Sequence, residues 1–269
     1  MAIYLIVLFI VLGASAYWYW SRRLARKSLL ATALSDYQRS IVTNQVPLTR
    51  KLPTDIRNQL DGKINLFLNQ VEFTGCNGLD VTEDMKLSIA AQACLLVVNR
   101  DLWYDHLNTV LIYPNAFKSL HQERTGYVVQ ERETVRTGES WARGPVILSW
   151  KHSQQGALND HDGHNVVFHE FAHKIDELSG RTNGIPQLDG IERLQDWAKA
   201  FDIAYKRHVK ATKAGQKTML DPYGASGPQE FFAVAVEAFF EKPEALKHHE
   251  SEVFQHMSEF FQLDPSTWK

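Results

Sequence analysis

Residues 165–180 read N-V-V-F-H-E-F-A-H-K-I-D-E-L-S-G, with His169 and His173 four positions apart. On an α-helix such residues share a face, so both imidazoles can reach one metal ion. Glu170 follows the first histidine and projects beside the metal, where its carboxylate can accept a proton from water. Gly180 is a typical C-terminal stop. An apolar face that would bury this helix is formed by Val166, Val167, Ala172, Ile175 and Leu178.

A zinc hydrolase usually has three protein ligands and one open position for water, so this interpretation needs a third ligand. Without one, residues 165–180 would be a core helix with two hydrogen-bonded histidines. Glu230 and Glu237 lie in the apolar run at 228–240, and two helical turns of spacing place them on one face. A carboxylate among phenylalanines and valines is costly unless it is paired or bound to a metal. Glu230 also suits a first helical turn, where the dipole favours an acid, so spacing alone leaves the choice open.

Apolar periodicity and turn residues divide the rest of the chain into helices and short strands. Helices are predicted at 36–44, 55–73, 83–98, 192–210, 229–240 and 251–262, with Thr54 and Thr82 as N-caps. Strands are predicted at 108–113, 128–135, 140–141 and 144–150. The expected fold class is α+β, dominated by helices, with one small and mostly antiparallel sheet before the metal helix.

Three local predictions bear on the site. The stretch 144–150 is interpreted as an edge strand that a substrate peptide could join through main-chain hydrogen bonds. Residues 151–164 are predicted to be a loop, in which Asn159, Asp160 or Asp162 caps the metal helix. Residues 46–48 are predicted to be extended, because proline disfavours helix in the residue before it.

The N-terminal segment 1–20 contains no charged side chain and is about long enough to span a bilayer as a helix. A cleavable secretory signal carries its positive charge before the apolar run, and here no Lys or Arg precedes it. The small residues at 14–16 resemble a cleavage site, so cleavage is the alternative. Arg22, Arg23, Arg26 and Lys27 follow the span and favour a cytoplasmic location for what comes next. We therefore predict a single-pass signal anchor at 1–20 in the inner (cytoplasmic) membrane, a juxtamembrane helical linker at 21–46, and a cytoplasmic domain at 47–269.

The overall composition is that of an ordinary globular chain. Of the 269 residues, 44% are hydrophobic and 22% are charged, and the formal net charge is -2. No basic stripe is present in the soluble part of the chain, so direct nucleic-acid binding is not expected. Cys76 and Cys94 are too few for a disulfide framework or a cysteine-based zinc site, and free buried thiols are expected.

Four blocks of sequence occur in the same order as in a known family. They are V-L-I-Y-P at 110–114, G-x-S-W-x-x-G-P-V-x-L at 138–148, H-E-x-A-H-K-x-D at 169–176 and Y-x-x-x-x-P-x-E-x-F-A-V at 223–234. On these blocks the chain, from about Pro47 to its end, resembles the Mlc titration factor A family of zinc metallopeptidases. That family is similar in its active site to the protease domain of anthrax lethal factor. The resemblance implies a zincin-like metallopeptidase domain at 47–269, and the N-terminal span departs from the soluble protein that it implies.

By this resemblance, the Zn²⁺ ligands are His169, His173 and Glu230, and Glu170 is the catalytic base. The match ranks Glu230 above Glu237, which then becomes a structural or ligand-supporting candidate.

Other side chains are candidates for supporting roles. Tyr223 matches a tyrosine that such zincins use beside the metal, where a phenol can donate a hydrogen bond to an oxyanion. Ordinary packing in a turn is the alternative for it. Asp176 lies three residues after His173 and either orients a ligand imidazole or is a solvated carboxylate. His161 and His164 are expected in surface or capping roles.

The predicted function is zinc-dependent hydrolysis of peptide bonds in a peptide or protein substrate, aminopeptidase-like by the resemblance. The alternative is a membrane-tethered regulatory protein that sequesters a transcriptional repressor of sugar uptake, a partner that the resemblance also implies. A peptide deformylase would need a cysteine ligand in a glycine-rich motif, and neither Cys76 nor Cys94 stands in one.

Overall fold

The structure is a computed structural model that describes the backbone of residues 2–125, 128–136, 138–140 and 144–268. Its side chains are described for 4–116, 138 and 144–268. Part of the strand predicted at 140–141 lies outside the described residues. The helices are α1 Ala2–Ala31, α2 Asp36–Gln45, α3 Thr54–Gln70, α4 Glu83–Leu95, α5 Trp150–Leu158, α6 Val166–Glu177, α7 Ile191–Lys213, α8 Pro228–Glu241, α9 Pro243–His249 and α10 Ser251–Phe261. The strands are β1 Glu72–Gly75, β2 Thr109–Tyr113, β3 Phe117–Thr125, β4 Val128–Arg136, β5 Gly138–Ser140 and β6 Val146–Ser149.

The helix-dominated α+β class is confirmed, but the direction of the sheet was predicted wrongly. Four strands form a sheet in the order β1-β2-β6-β5, in which β1, β2 and β6 are mutually parallel and only β5 runs antiparallel. Alternation of apolar residues shows that a strand is half-buried but carries no information about its direction. The long connection through α4 makes the parallel pairing of β1 and β2 possible, because a parallel pair needs a crossover.

Two predicted strands occupy different places from those expected. The segment 128–135 forms β4, which pairs with β3 in a separate antiparallel hairpin rather than joining the sheet. The segment 144–150 contains β6, which lies between β2 and β5 and is not an edge strand. The edges of the sheet are β1 and β5, and β5 is the edge that packs against α6.

Several element boundaries also differ from the predictions. Residues 150–158 form α5 where a loop was predicted, and Pro47–Lys51 form a 3-10 turn where an extended segment was predicted. Helix α3 begins at Thr54 itself, with Pro53 at the cap position and no side-chain cap, whereas Thr82 caps α4 as predicted. Helix α9 was not predicted, because Pro243 resembles a helix break although proline is well suited to a first helical position.

The core is built around α4, whose residues from Leu87 to Leu95 are buried. Helices α2, α3, α5 and α6 all pack against it. Helix α8 is buried along its apolar length and packs on α6, where the rings of Phe168 and Phe240 stack with centroids 5.0 Å apart. Helices α6 and α8, which carry the predicted ligands, therefore meet inside the core rather than on a loop at the surface.

The N-terminal helix α1 is one uninterrupted helix. Its segment Tyr4–Ala31 spans 28 residues, and within it an 18-residue window reaches a mean hydropathy of 1.5 with none of that window buried. By length and composition this helix can cross a membrane, so it fits a membrane anchor. Its orientation and the divisions at residues 20 and 46 stay predictions. Ile41 and Val42 of α2 lie in the same apolar core as α4.

The last turn of α1 docks closely on α3. A Cβ at Gly62 would lie 2.0 Å from the carbonyl oxygen of Leu30, so only glycine permits this approach. Asn65 donates to the carbonyl of Thr32 at 2.7 Å, and Arg26 lies 3.7 Å from Asp105. The apolar helix is thus attached directly to the folded domain.

We expect Gly62→Ala to destabilise the full chain in detergent by about 1–3 kcal/mol, because overpacking would push α1 off α3. An alanine in a helix interior is ordinarily more favourable than glycine by roughly 1 kcal/mol. Gly13→Ala is the matched control, since no atom of the described residues lies within 4 Å of its Cβ position. Thermal unfolding would measure both variants, and a Gly62→Ala protein more stable than the wild type would contradict the close contact.

Candidate metal centre

The start of α6 is fixed by Asn165, and the predicted caps Asn159, Asp160 and Asp162 do not serve this purpose. The Oδ1 atom of Asn165 accepts from the N–H groups of Val167 and Phe168 at 3.1 and 3.0 Å. Asn165 is only 2% exposed, and its cap therefore lies in the core. The sequence signal was present, because asparagine directly before an apolar helical run is a favoured N-cap.

The packing of α6 on α8 brings His169, His173 and Glu230 together. One ligand atom from each lies within 4.8 Å of the other two, so the group could hold a metal ion. The Glu230 Oε2 atom is 3.0 Å from His169 Nε2 and 3.2 Å from His173 Nε2. Burial raises the pKa of Glu230, but the hydrogen bonds with the two imidazoles outweigh it and hold that pKa well below its usual value.

Glu237 supports His169 from the side opposite Glu230. Its Oε1 atom lies 2.8 Å from His169 Nδ1, and its Oε2 atom accepts from the N–H of Asn165. A carboxylate at Nδ1 keeps the proton there and leaves Nε2 to face a metal. Burial lowers the pKa of the His169 imidazole, but its hydrogen bonds with Glu230 and Glu237 outweigh burial and raise it well above the ordinary value.

Glu241 is a buried carboxylate that was not among the predicted site residues. It is 5% exposed, and its oxygens accept from Asn165 Nδ2 at 2.9 Å and from the Gly163 N–H at 3.0 Å. Burial raises its pKa to about 8, with Asn165 opposing and Glu237 adding to the shift. Its spacing of four residues after Glu237 would have placed both on one helix face.

Glu170 follows His169 directly on α6 and is 5% exposed. The main chain of β5 presses against it, since a Cβ at Gly138 would lie 2.5 Å from Glu170 Oε1 and 2.7 Å from its Cγ. Lys174, one turn further along α6, donates to the carbonyl of Gly144 just before β6. The edge strand β5 is therefore adjacent to the carboxylate predicted to act as the base.

Tyr223 stands at the rim of the group. It follows Asp221, whose side chain caps the turn by accepting from the Tyr223 N–H at 2.7 Å. Its ring centroid is 5.8 Å from that of His169, and the side chain is 54% exposed. His164 also lies near Asp221 at 3.2 Å and, like His161, is exposed.

Asp176 is fully buried, so its interpretation as a solvated carboxylate is wrong. Its Oδ2 atom accepts from the Gly184 N–H at 2.7 Å. Burial raises the pKa of Asp176 to about 6, while the hydrogen bond from Gly184 and the proximity of His173 lower it.

The raised pKa of Glu241 predicts a pH-dependent stability. An acid that binds its proton more tightly when folded stabilises the fold below its ordinary pKa, and this contribution disappears as the pH rises toward 8. In Glu241→Gln, the free energy of unfolding should fall less between pH 5 and pH 8 than in the wild type, by on the order of 3 kcal/mol. Denaturant unfolding across that range would measure it. Glu244→Gln, at an exposed position, is the control, and an unchanged slope in Glu241→Gln would contradict the burial argument.

Comparison with known proteins places the chain in a family. It is 40% identical over 266 residues to the uncharacterized protein slr2042 of Synechocystis sp., covering 97% of each chain. It is 33% identical over 227 residues to Mlc titration factor A of Yersinia pestis and of Yersinia pseudotuberculosis, covering 82% of each chain. The resemblance to the Mlc titration factor family is thus confirmed. The model of the glucose-regulated metallo-peptidase M90 family matches residues 19–262, and the chain therefore belongs to this metallopeptidase family.

Proposed function

We propose that this protein is a zinc-dependent peptidase in which Glu170 is the general base. The observation that carries the proposal is the convergence of His169, His173 and Glu230 from two packed helices, with Glu170 adjacent on α6. Membership of a metallopeptidase family supports the same reaction class.

The donor set fits zinc. Two imidazole nitrogens and one carboxylate oxygen are a ligand set typical of catalytic zinc sites, which keep a further position open. Glu237 at His169 Nδ1 leaves the Nε2 atom directed toward Glu230 and His173, as a metal ligand requires. When bound, zinc supplies a Lewis acid that lowers the pKa of water and polarises the scissile carbonyl group.

Glu170 and Tyr223 are the proposed catalytic residues. The Glu170 carboxylate takes a proton from the attacking water and later delivers it to the leaving amine. The packing of Gly138 against its Oε1 and Cγ atoms restricts where this carboxylate can point. The Tyr223 phenol, exposed at the rim beside His169, donates a hydrogen bond to the oxyanion of the tetrahedral intermediate.

The substrate is proposed to bind along β5. Because β6 is internal, β5 is the edge strand on this side of the sheet, and an extended peptide can add to such an edge. Gly138 of β5 contacts Glu170, so a peptide on this edge would pass the base. Aminopeptidase-like cleavage of short peptides is carried over from the family resemblance.

A second candidate function is regulatory binding. The name Mlc titration factor A, given to relatives that are 33% identical, indicates capture of another protein. The candidate here is a membrane-tethered protein that sequesters a transcriptional repressor of sugar uptake. In both cases we propose that α1 anchors the chain in the inner membrane, with the domain facing the cytoplasm.

Glu170→Gln should lower the hydrolysis of short chromogenic peptides by about 100- to 10,000-fold, because the amide cannot accept the proton. Metal content, measured by mass spectrometry, should stay at the wild-type level. Glu192→Gln, at an exposed position on α7, is the control. A fully active Glu170→Gln protein would rule out the mechanism, and retained repressor binding without hydrolysis would separate the two functions.

Glu230→Ala and Glu237→Ala should differ in their effect on the metal. Loss of a ligand in Glu230→Ala should abolish stoichiometric zinc binding, whereas loss of the support to His169 in Glu237→Ala should weaken binding by about 10- to 100-fold. Competition with a chelator would give both affinities, and chelation of the wild type should abolish hydrolysis. Loss of metal in the Glu237→Ala protein alone would overturn the ligand assignment.

A further inference from the structure

Asp176 connects α6 to the loop that follows it. Its carboxylate is completely buried one turn beyond His173, and Oδ2 accepts from the Gly184 N–H at 2.7 Å. The neighbouring N–H groups of Asn183 and Ile185 also interact with this carboxylate. Consecutive amides that converge on one carboxylate hold it in a fixed position.

Gly184 in turn contacts the start of α8. Its φ is +78°, and a Cβ there would lie 2.6 Å from the carbonyl oxygen of Pro228. Its own carbonyl accepts from the Trp197 indole N–H on α7 at 3.1 Å. Pro228 is two residues before Glu230. Gly184, which donates to Asp176, therefore also contacts the start of α8, the helix that carries the proposed third ligand.

Within the described part of the chain, two buried polar atoms near the C-terminal end of α6 lack a hydrogen-bond partner. Among the residues whose side chains are described, His173 Nδ1 and Asp176 Oδ1 have no hydrogen-bond partner. The two side chains are three residues apart on one helix and interact electrostatically. Buried polar atoms in folded proteins are nearly always paired, directly or through one ordered water.

We propose that Asp176 and Gly184 form a brace for the metal centre. The Asp176 carboxylate accepts from His173 Nδ1, directly or through one water, as Glu237 accepts from His169 Nδ1. Gly184 joins that carboxylate to the first turn of α8, and so fixes the spacing between His173 and Glu230. Both are positioning residues, and the proposal rests on the assignment of His173 as a metal ligand.

Asp176→Asn tests the first half of the brace. The amide oxygen would stay with the loop N–H groups, which turns the amide NH₂ toward His173. The imidazole proton would then move from Nδ1 to Nε2, the atom that faces the metal. We expect zinc affinity of the full chain in detergent, measured by chelator competition, to fall about 10- to 100-fold while the fold is retained.

Asp61→Asn is the matched control. Asp61 is also a buried carboxylate, 4% exposed, and accepts from the Leu34 N–H and from Arg39 away from the metal group. This variant should lose stability without losing zinc affinity. Equal zinc affinity in Asp176→Asn and the wild type, with both folded, would overturn the role of Asp176.

Gly184→Ala tests the second half. Its Cβ would displace the loop from Pro228 and should weaken zinc binding by about 10-fold or more through Glu230. Gly190→Ala is the control, because Gly190 has a φ of +90° but, in the part of the chain that the structure describes, no neighbouring atom within 4 Å of its Cβ position. If both variants bind zinc as tightly as the wild type, the contact with α8 does not position the ligand.

A metal-independent measurement separates this proposal from the proposed function. In full-chain protein labelled with ¹⁵N-histidine, the His173 Nδ1 proton should be protected from exchange in the wild type and lose that protection in Asp176→Asn. A wild type that binds no zinc would rule out the peptidase proposal. The contact between Asp176 and His173 would then be tested by the exchange rate of the His173 Nδ1 proton alone. Equal exchange in both proteins would refute it.

Discussion

The burial of carboxylates between α6 and α8 is the constraint on which the rest of the domain depends. Glu230, Glu237 and Glu241 project from α8, whose other residues from Phe231 to Phe240 are apolar and buried. An unpaired carboxylate in such a place costs several kcal/mol, so α6 has to present donors at matching positions. It does so with imidazole nitrogens opposite Glu230 and Glu237 and with Asn165 at its N-terminus. A shift of α8 along α6 would leave these carboxylates without hydrogen-bond donors. The relative position of the two helices is therefore fixed by the same contacts that bring the candidate site together.

Asn165 shows how closely the fold and the site are joined. It caps α6 through Oδ1, donates its N–H to Glu237 and donates its Nδ2 group to Glu241 and to Gln92 on α4. Glu237, thus held, orients His169. In a low-dielectric interior each bond of such a network polarises the next, and a half-satisfied network would be worse than an apolar core. The orientation of the His169 imidazole, a candidate metal ligand, is therefore set by a chain of contacts that reaches the central helix of the core.

The sequence predicted the parts of this arrangement that have a local signal. Helices α6 and α8 follow from 3.6-residue periodicity, and burial of acids among phenylalanines pointed to the helix bearing Glu230. The choice of Glu230 over Glu237 needed the family resemblance, because two helical turns put both on one face. The direction of β2 and β6 could not be predicted, since alternation of residues is the same in parallel and antiparallel strands. Strand β1 was not predicted, because residues 72 and 73 were assigned to the end of the preceding helix, which stops at Gln70. The cap at Asn165 was available from the sequence but was assigned to residues further upstream.

Close main-chain approach is the part of the structure that leaves no periodic signal at all. Gly62, Gly138 and Gly184 lie where a Cβ would come within 2.6 Å or less of another residue. These close contacts connect α1 with α3, β5 with Glu170, and the loop after α6 with the start of α8. A glycine contributes nothing to a hydrophobic pattern, so these contacts can be recognised only in the three-dimensional structure. Each of these contacts sets the distance between two parts of the structure. The geometry of the candidate site therefore depends in part on glycines, which have no reactive side-chain group.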